Sequence, residues 1–207
     1  MNFYTVNGSP NTRKVHAVIN YLGLDVNICE LDIFAGELAT PEYMDMNPNG
    51  MVPLLEDGDF RLSESNAIMQ YLASMAGNTD FYPEDARSRA DIQRWLSWEQ
   101  SHFNRATGTF VYEYMLKNLF KLGEPDQDRL NEATENFNRF AKVLDDHLEN
   151  RKFLLGDSLT LADFAVASMS AYLDVAKVPY QSYKNICAWL NRLDEIPAWV
   201  STPKLAA

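Results

Sequence analysis

Met51-Val52-Pro53-Leu54-Leu55, Glu56-Asp57-Gly58-Asp59-Phe60-Arg61 and Leu62-Ser63-Glu64-Ser65-Asn66-Ala67-Ile68 run without a break, and their reading decides the fold. Asp57-Gly58 between two apolar runs is a hairpin signal, so two short strands are expected on either side of it. Pro53 has no backbone donor and belongs at the edge or head of the first strand. The Val52-Pro53 bond is expected to be cis, with the Val52 amide and carbonyl turned outward to pair with an extended ligand. Glu64-Ser65 falls where a helix should begin. There Ser65 can cap, and the first-turn amides and the helix dipole favour an anion. A strand-like edge beside an anion-binding helix start suits a small peptide.

The 207 residues are 46% hydrophobic, enough for one large or two small domains with a real core. No run approaches the ~18 apolar residues of a membrane-spanning helix, and the N-terminus has no basic-then-apolar signal segment. A cytoplasmic protein without a membrane partner is therefore expected. Net charge is −11, with 3 basic and 10 acidic side chains in residues 1–78 and 15 against 19 in the rest. Such a field repels nucleic acid. Cys29 and Cys187 form no CxxC pair and no metal-ligand cluster with His16, His102 and His147, so no metal is expected.

Around the opening stretch, residues 1–78 alternate strand-like and helical pieces. Asn2–Val6 is a strand, Asn7-Gly8-Ser9-Pro10 a turn, and a helix is predicted from about Thr12 to Leu22, stopping at Gly23. Val26–Leu31 is a second strand, followed by a loop, the hairpin and a helix through Ala67–Ala73. The order β-α-β, loop, β-β-α resembles the thioredoxin-like fold. Residues 79–86 form a polar, Pro-containing linker. Residues 87–207 read as an all-α helical bundle. Ile92, Trp95, Leu96, Glu99, Phe103, Ala106 and Phe110 line one long helix, and Leu130 to Leu148 line another. Thr160 and Asp163 occupy N-cap and N3 positions of a capping box.

The run Phe153-Leu154-x-Gly156-x-x-x-Thr160-x-Ala162-Asp163-Phe164 looks like the helix-capping segment of the cytosolic glutathione transferase C-terminal domain. Together with the Val-Pro and Glu-Ser elements, the resemblance covers the whole chain. It implies an α+β thioredoxin-like domain followed by an all-α domain, and glutathione as co-substrate. It also implies a homodimer that directs the glutathione thiol at small apolar electrophiles. A glutathione-dependent disulfide oxidoreductase or peroxidase, or a non-catalytic dimeric binding protein on the same fold, are the alternatives.

By the same resemblance Met51, Val52, Pro53, Glu64 and Ser65 hold glutathione. Ser9, in Ser9-Pro10-x-x-Arg13-x-Val15, is similar to the thiol-activating serine of serine-type classes. Asn11 is similar to the asparagine of the Thr-Pro-Asn turn in the Nu class and its fungal relatives. Tyr4 lies in the strand where tyrosine-type classes keep their donor. Many members have Lys or Gln immediately before Val-Pro, facing the glycyl carboxylate, and this chain has Met51. Arg13, Asn49 and Arg105 are the candidate substitutes. Phe103, Thr107, Phe110 and Tyr114 recur at helical spacing and are candidates, with Tyr4, for walling an electrophile cleft.

Overall fold

Asn2–Thr5 (β1) is one of the two inner strands of a four-stranded sheet. It pairs parallel with Asn27–Glu30 (β2) and antiparallel with Leu54–Asp57 (β3), while Phe60–Ser63 (β4) completes the other edge. The structure, a computed structural model, describes residues 1–203. β3 and β4 pair Asp57 with Phe60, so Gly58 and Asp59 make a two-residue turn, with Gly58 at φ 64°. The turn thus falls one residue later than the Asp57-Gly58 pair expected from the sequence, with Asp57 still in β3 and glycine taking the positive φ without a Cβ penalty.

The pleat of β1 sorts its side chains. Phe3 and Thr5 meet Pro10–Leu22 (α1), where the Phe3 and His16 rings touch edge-on at 5.1 Å and His16 Nε2 lies 3.3 Å from Thr5 Oγ1. Tyr4 points the other way, against Tyr43 of Pro41–Met46 (α2) at 6.2 Å between ring centroids. Ser65–Ala76 (α3) packs beside α1. Phe3, Val15, Val18, Leu54, Leu55, Ile68, Met69 and Leu72 are buried. Each such side chain stabilises by about 1.5–3 kcal/mol. The segment between β2 and the hairpin, expected as a loop, is not all loop. The structure places α2 there, capped by Thr40, whose hydroxyl accepts from the Tyr43 amide.

Two compact units divide the chain. Among the described residues the first joins Met1–Tyr82 to residues 196–203, and the second is Pro83–Glu195. The helical domain expected over 87–207 therefore ends early, because Pro197–Val200 (α10) packs on α1. Arg13, 1% exposed, spreads its guanidinium 3.8 Å from the Trp199 ring and donates to Thr202 Oγ1 at 3.0 Å.

In the second unit one long helical run comprises Ala86–Trp98 (α4), Asn104–Val111 (α5) and Lys117–Leu119 (α6), joined by π-helical segments Glu99–Phe103 and Tyr112–Leu116. It packs on Gln127–Leu148 (α7), whose Leu130, Ala133, Phe137, Ala141, Leu144 and Leu148 are buried. The capping box is formed at Leu161–Val166 (α8), where Thr160 N donates to Asp163 Oδ2 at 3.0 Å. Lys184–Leu193 (α9) supplies Trp189, whose Nε1 donates to Asp163 Oδ1 at 2.9 Å. Among the described residues no helix is long and apolar enough to cross a membrane, and no group of three His, Cys, Asp or Glu is placed to hold a metal.

Candidate active site

The start of α3 departs from the sequence reading by one position. Ser65 is the first helical residue, and Glu64 is the N-cap, at φ 70° and ψ 109° with no side-chain cap bond. A non-glycine residue in such a conformation costs about 1–3 kcal/mol and persists only where its surroundings over-determine it. On one side, Ser63 is fixed by its pairing with Leu54. On the other, Lys14 Nζ donates to Asn66 Oδ1 at 2.8 Å, Gln70 Nε2 to the Asn66 carbonyl at 3.1 Å, and Tyr82 OH to Gln70 Oε1 at 2.8 Å. The first-turn amides of α3 have no partner within the helix and face the end of β4. The nearly buried Ser65 hydroxyl makes no hydrogen bond among the described residues.

The second element is the chain leading into β3. The Met51 carbonyl accepts from both Tyr43 OH and Asn47 Nδ2, each at 2.7 Å. Asn47 Oδ1 accepts from the Asn49 amide at 3.3 Å and from Asn49 Nδ2 at 3.2 Å. This holds the segment immediately before Val52. The Val52-Pro53 bond is cis. The Val52 N–H and C=O carry no hydrogen bond among the described residues.

The third element is the turn before α1. Ser9 is the extended N-cap, with its carbonyl accepting from Arg13 N at 2.9 Å and its hydroxyl uncommitted. Thr12 Oγ1 sits 3.2 Å from the Val6 carbonyl and 3.0 Å from that of Ser9, pinning the turn. Ser9 is half-buried, and Asn11 is exposed. Tyr4 is engaged elsewhere: its hydroxyl donates to Glu56 Oε2 at 3.3 Å. Burial first, and then the Glu56 carboxylate, raise its pKa above the usual tyrosine value.

Asn11, Met51, Val52, Pro53, Glu64 and Ser65 come together around one small cleft, with Asn47, Asn49 and Ser63 completing its wall. Ser9 stands at the same end of α1, two residues before Asn11, and Tyr4 lies outside the lining. Sequence reasoning passed over Tyr43, Asn47 and Ser63. The Asn47-Pro48-Asn49-Gly50 run was a readable turn signal.

The residues expected along an electrophile cleft belong to the second unit. Phe103 stacks on Trp98 at 5.3 Å and tilts against Phe137 at 5.7 Å, and Phe110 meets Phe137 edge-on at 6.4 Å. Thr107 is buried and donates to the Phe103 carbonyl at 2.9 Å. These three fill the interior of the helical unit. Tyr114 is partly exposed, with Lys177 Nζ 4.6 Å from its ring centroid.

Family models match both parts of the chain. The N-terminal domain model of glutathione S-transferase matches residues 1–74, and the C-terminal domain model matches residues 66–197. Glutathione S-transferase 3 of Zea mays is 34% identical over 200 residues, covering 94% of this chain and 89% of the relative. Glutathione S-transferase F14 of Arabidopsis thaliana is 30% identical over 192 residues, covering 89% and 75%. The glutathione-bound theta class enzyme of Xanthomonas axonopodis pv. citri superposes with a TM-score of 0.89 at 26% identity, covering 100% of this chain and 97% of that one. With both domain models and a full-length relative in agreement, the chain belongs to the glutathione S-transferase family.

Proposed function

We propose that this transferase holds glutathione along the cleft of its first unit and activates the thiol at the start of α1. The γ-glutamyl carboxylate meets the α3 amides and the Ser65 hydroxyl, and Glu64 meets the γ-glutamyl ammonium. The cysteinyl residue pairs with the Val52 backbone as an added strand would. The observation that carries the reading is Glu64. Its left-handed backbone at the N-terminus of α3 opens onto the same cleft as the unpaired Val52 groups.

An unperturbed thiol has a pKa of about 8.5, and lowering it by ~2 units takes roughly 2.7 kcal/mol of preferential thiolate stabilisation. One charge-assisted hydrogen bond contributes ~1.5–3 kcal/mol, and the α1 N-terminus adds to it. The uncommitted Ser9 hydroxyl is our first choice of donor, with Asn11 the competing one. The thiolate sulfur attacks an electrophilic carbon and expels its leaving group, while the thiol proton goes to solvent. Electrophiles are proposed to be small and apolar.

The active form is proposed to be a homodimer. The exposed Phe60, packed against Tyr71, and the exposed Met75 leave apolar surface on β4 and α3 in support of it. Calorimetric titration with glutathione, followed by conjugation of an aryl halide, tests the function. Absence of binding at millimolar glutathione would overturn it, and sedimentation tests the assembly.

A further inference from the structure

We infer that the cleft reads the γ-glutamyl and cysteinyl parts of its ligand but not the terminal carboxylate. It therefore accepts γ-glutamyl thiols with a blocked, uncharged third residue as readily as glutathione. The inference rests on the ligand placement proposed above. With the γ-glutamyl end at Glu64-Ser65 and the cysteinyl residue at Val52, the third residue extends one step, about 3.3 Å, along the wall formed by Asn49 and Met51.

Among the described residues lining that cleft there is no Lys, Arg or His, and the one ionisable side chain, Glu64, is acidic. Met51 is 66% exposed and its thioether donates nothing. Its carbonyl is already held by Tyr43 and Asn47. Asn49 offers a neutral amide and spends one of its two side-chain hydrogens on Asn47 Oδ1.

The remaining basic side chains of residues 1–82 are committed elsewhere. Arg13 is buried between Trp199 and Thr202, and Lys14 is bonded to Asn66. Arg61 lies 3.1 Å from Asp45 Oδ2 and 3.7 Å from Glu56 Oε1. These three face eleven acidic side chains over the same residues. A carboxylate at the third residue thus gains no ion pair from the described residues of the first unit and sits in a repelling field, whereas an ester or amide keeps the other contacts without that penalty. Arg105, the remaining candidate from the sequence, lines a different cavity, within the helical unit.

The test compares glutathione with its glycyl monoethyl ester and its glycyl amide, by calorimetry and by kcat/KM with one aryl halide. The blocked ligands should bind within about threefold of glutathione or more tightly. Met51→Lys should tighten glutathione about tenfold and leave the ester unchanged. A tenfold or greater loss on esterification overturns the inference and leaves the glutathione site standing. So does equal tightening of both ligands by Met51→Lys. If neither glutathione nor the ester binds, the placement itself falls, and this inference with it.

Discussion

Asn47 Nδ2 lies 2.7 Å from the carbonyl oxygen of Met51, and its own side chain is only 3% exposed. The same side chain accepts two hydrogen bonds from Asn49, so one buried amide organises the five residues before Val52. Removing it breaks three hydrogen bonds and leaves Tyr43 OH alone on the Met51 carbonyl. Asn47→Ala should destabilise the fold by about 1–3 kcal/mol and weaken glutathione about tenfold, with kcat little changed. Denaturant melts and calorimetry read both effects; an unchanged Kd would show that the loop is held without Asn47.

Glu64 and Ser65 should separate stability from binding. Glu64→Gly removes the strain of a left-handed non-glycine residue, so it should raise unfolding free energy by about 1 kcal/mol while weakening glutathione. Ser65→Ala should leave stability nearly unchanged and cost ~1–3 kcal/mol of ligand affinity, the usual worth of one hydrogen bond to a charged group. If Ser65→Ala binds normally, the γ-glutamyl end is not at α3.

The two turn residues are distinguished by the thiol. Ser9→Ala should raise the pKa of bound glutathione by about one to two units and slow conjugation at neutral pH ~10- to 100-fold, since each unit is ~1.36 kcal/mol. Affinity should stay nearly constant. Ultraviolet titration of the bound thiolate measures this directly. A silent Ser9→Ala beside a damaging Asn11→Ala would assign the role to Asn11, which lines the cleft.

Asp163 gives the helical unit a pH signature. Burial pushes its pKa up to about 6, although Leu154 N, Thr160 N, Thr160 Oγ1 and Trp189 Nε1 all donate to it and pull the other way. A carboxyl raised in the fold contributes stability that is complete below its unfolded value near 4 and is lost as pH rises through 6. The stability gap between the parent and Asp163→Asn should therefore narrow by roughly 2–3 kcal/mol between pH 4 and 7. A flat gap in denaturant melts would mean that the carboxylate is ionised throughout.

Features governed by neighbouring residues were legible in the sequence. The Gly58 turn, the Gly23 stop of α1 and the Thr160–Asp163 box each follow from local backbone chemistry. The helical stripe through Ile92, Phe103 and Phe110 was also visible, but a period says which face is apolar, not whether it meets a core or a cleft. Ser65 looked like the cap because serine prefers that place. The actual cap was decided by the β3–β4 register, which ends β4 at Ser63 and leaves Glu64 to turn the chain. Nothing local announces the bond from Arg13 to Thr202, 189 residues away.

That last contact bears on how the protein is made. The first unit begins at residue 1 but is closed by α10, so the helical unit is an insertion within it. During synthesis the helical unit can emerge and fold as an uninterrupted segment. The first unit must wait with the buried face of Arg13 uncovered until Trp199 and Thr202 leave the ribosome. The domain translated first is thus the one completed last. A nascent chain stalled before residue 196 would carry a finished insertion inside an unfinished host.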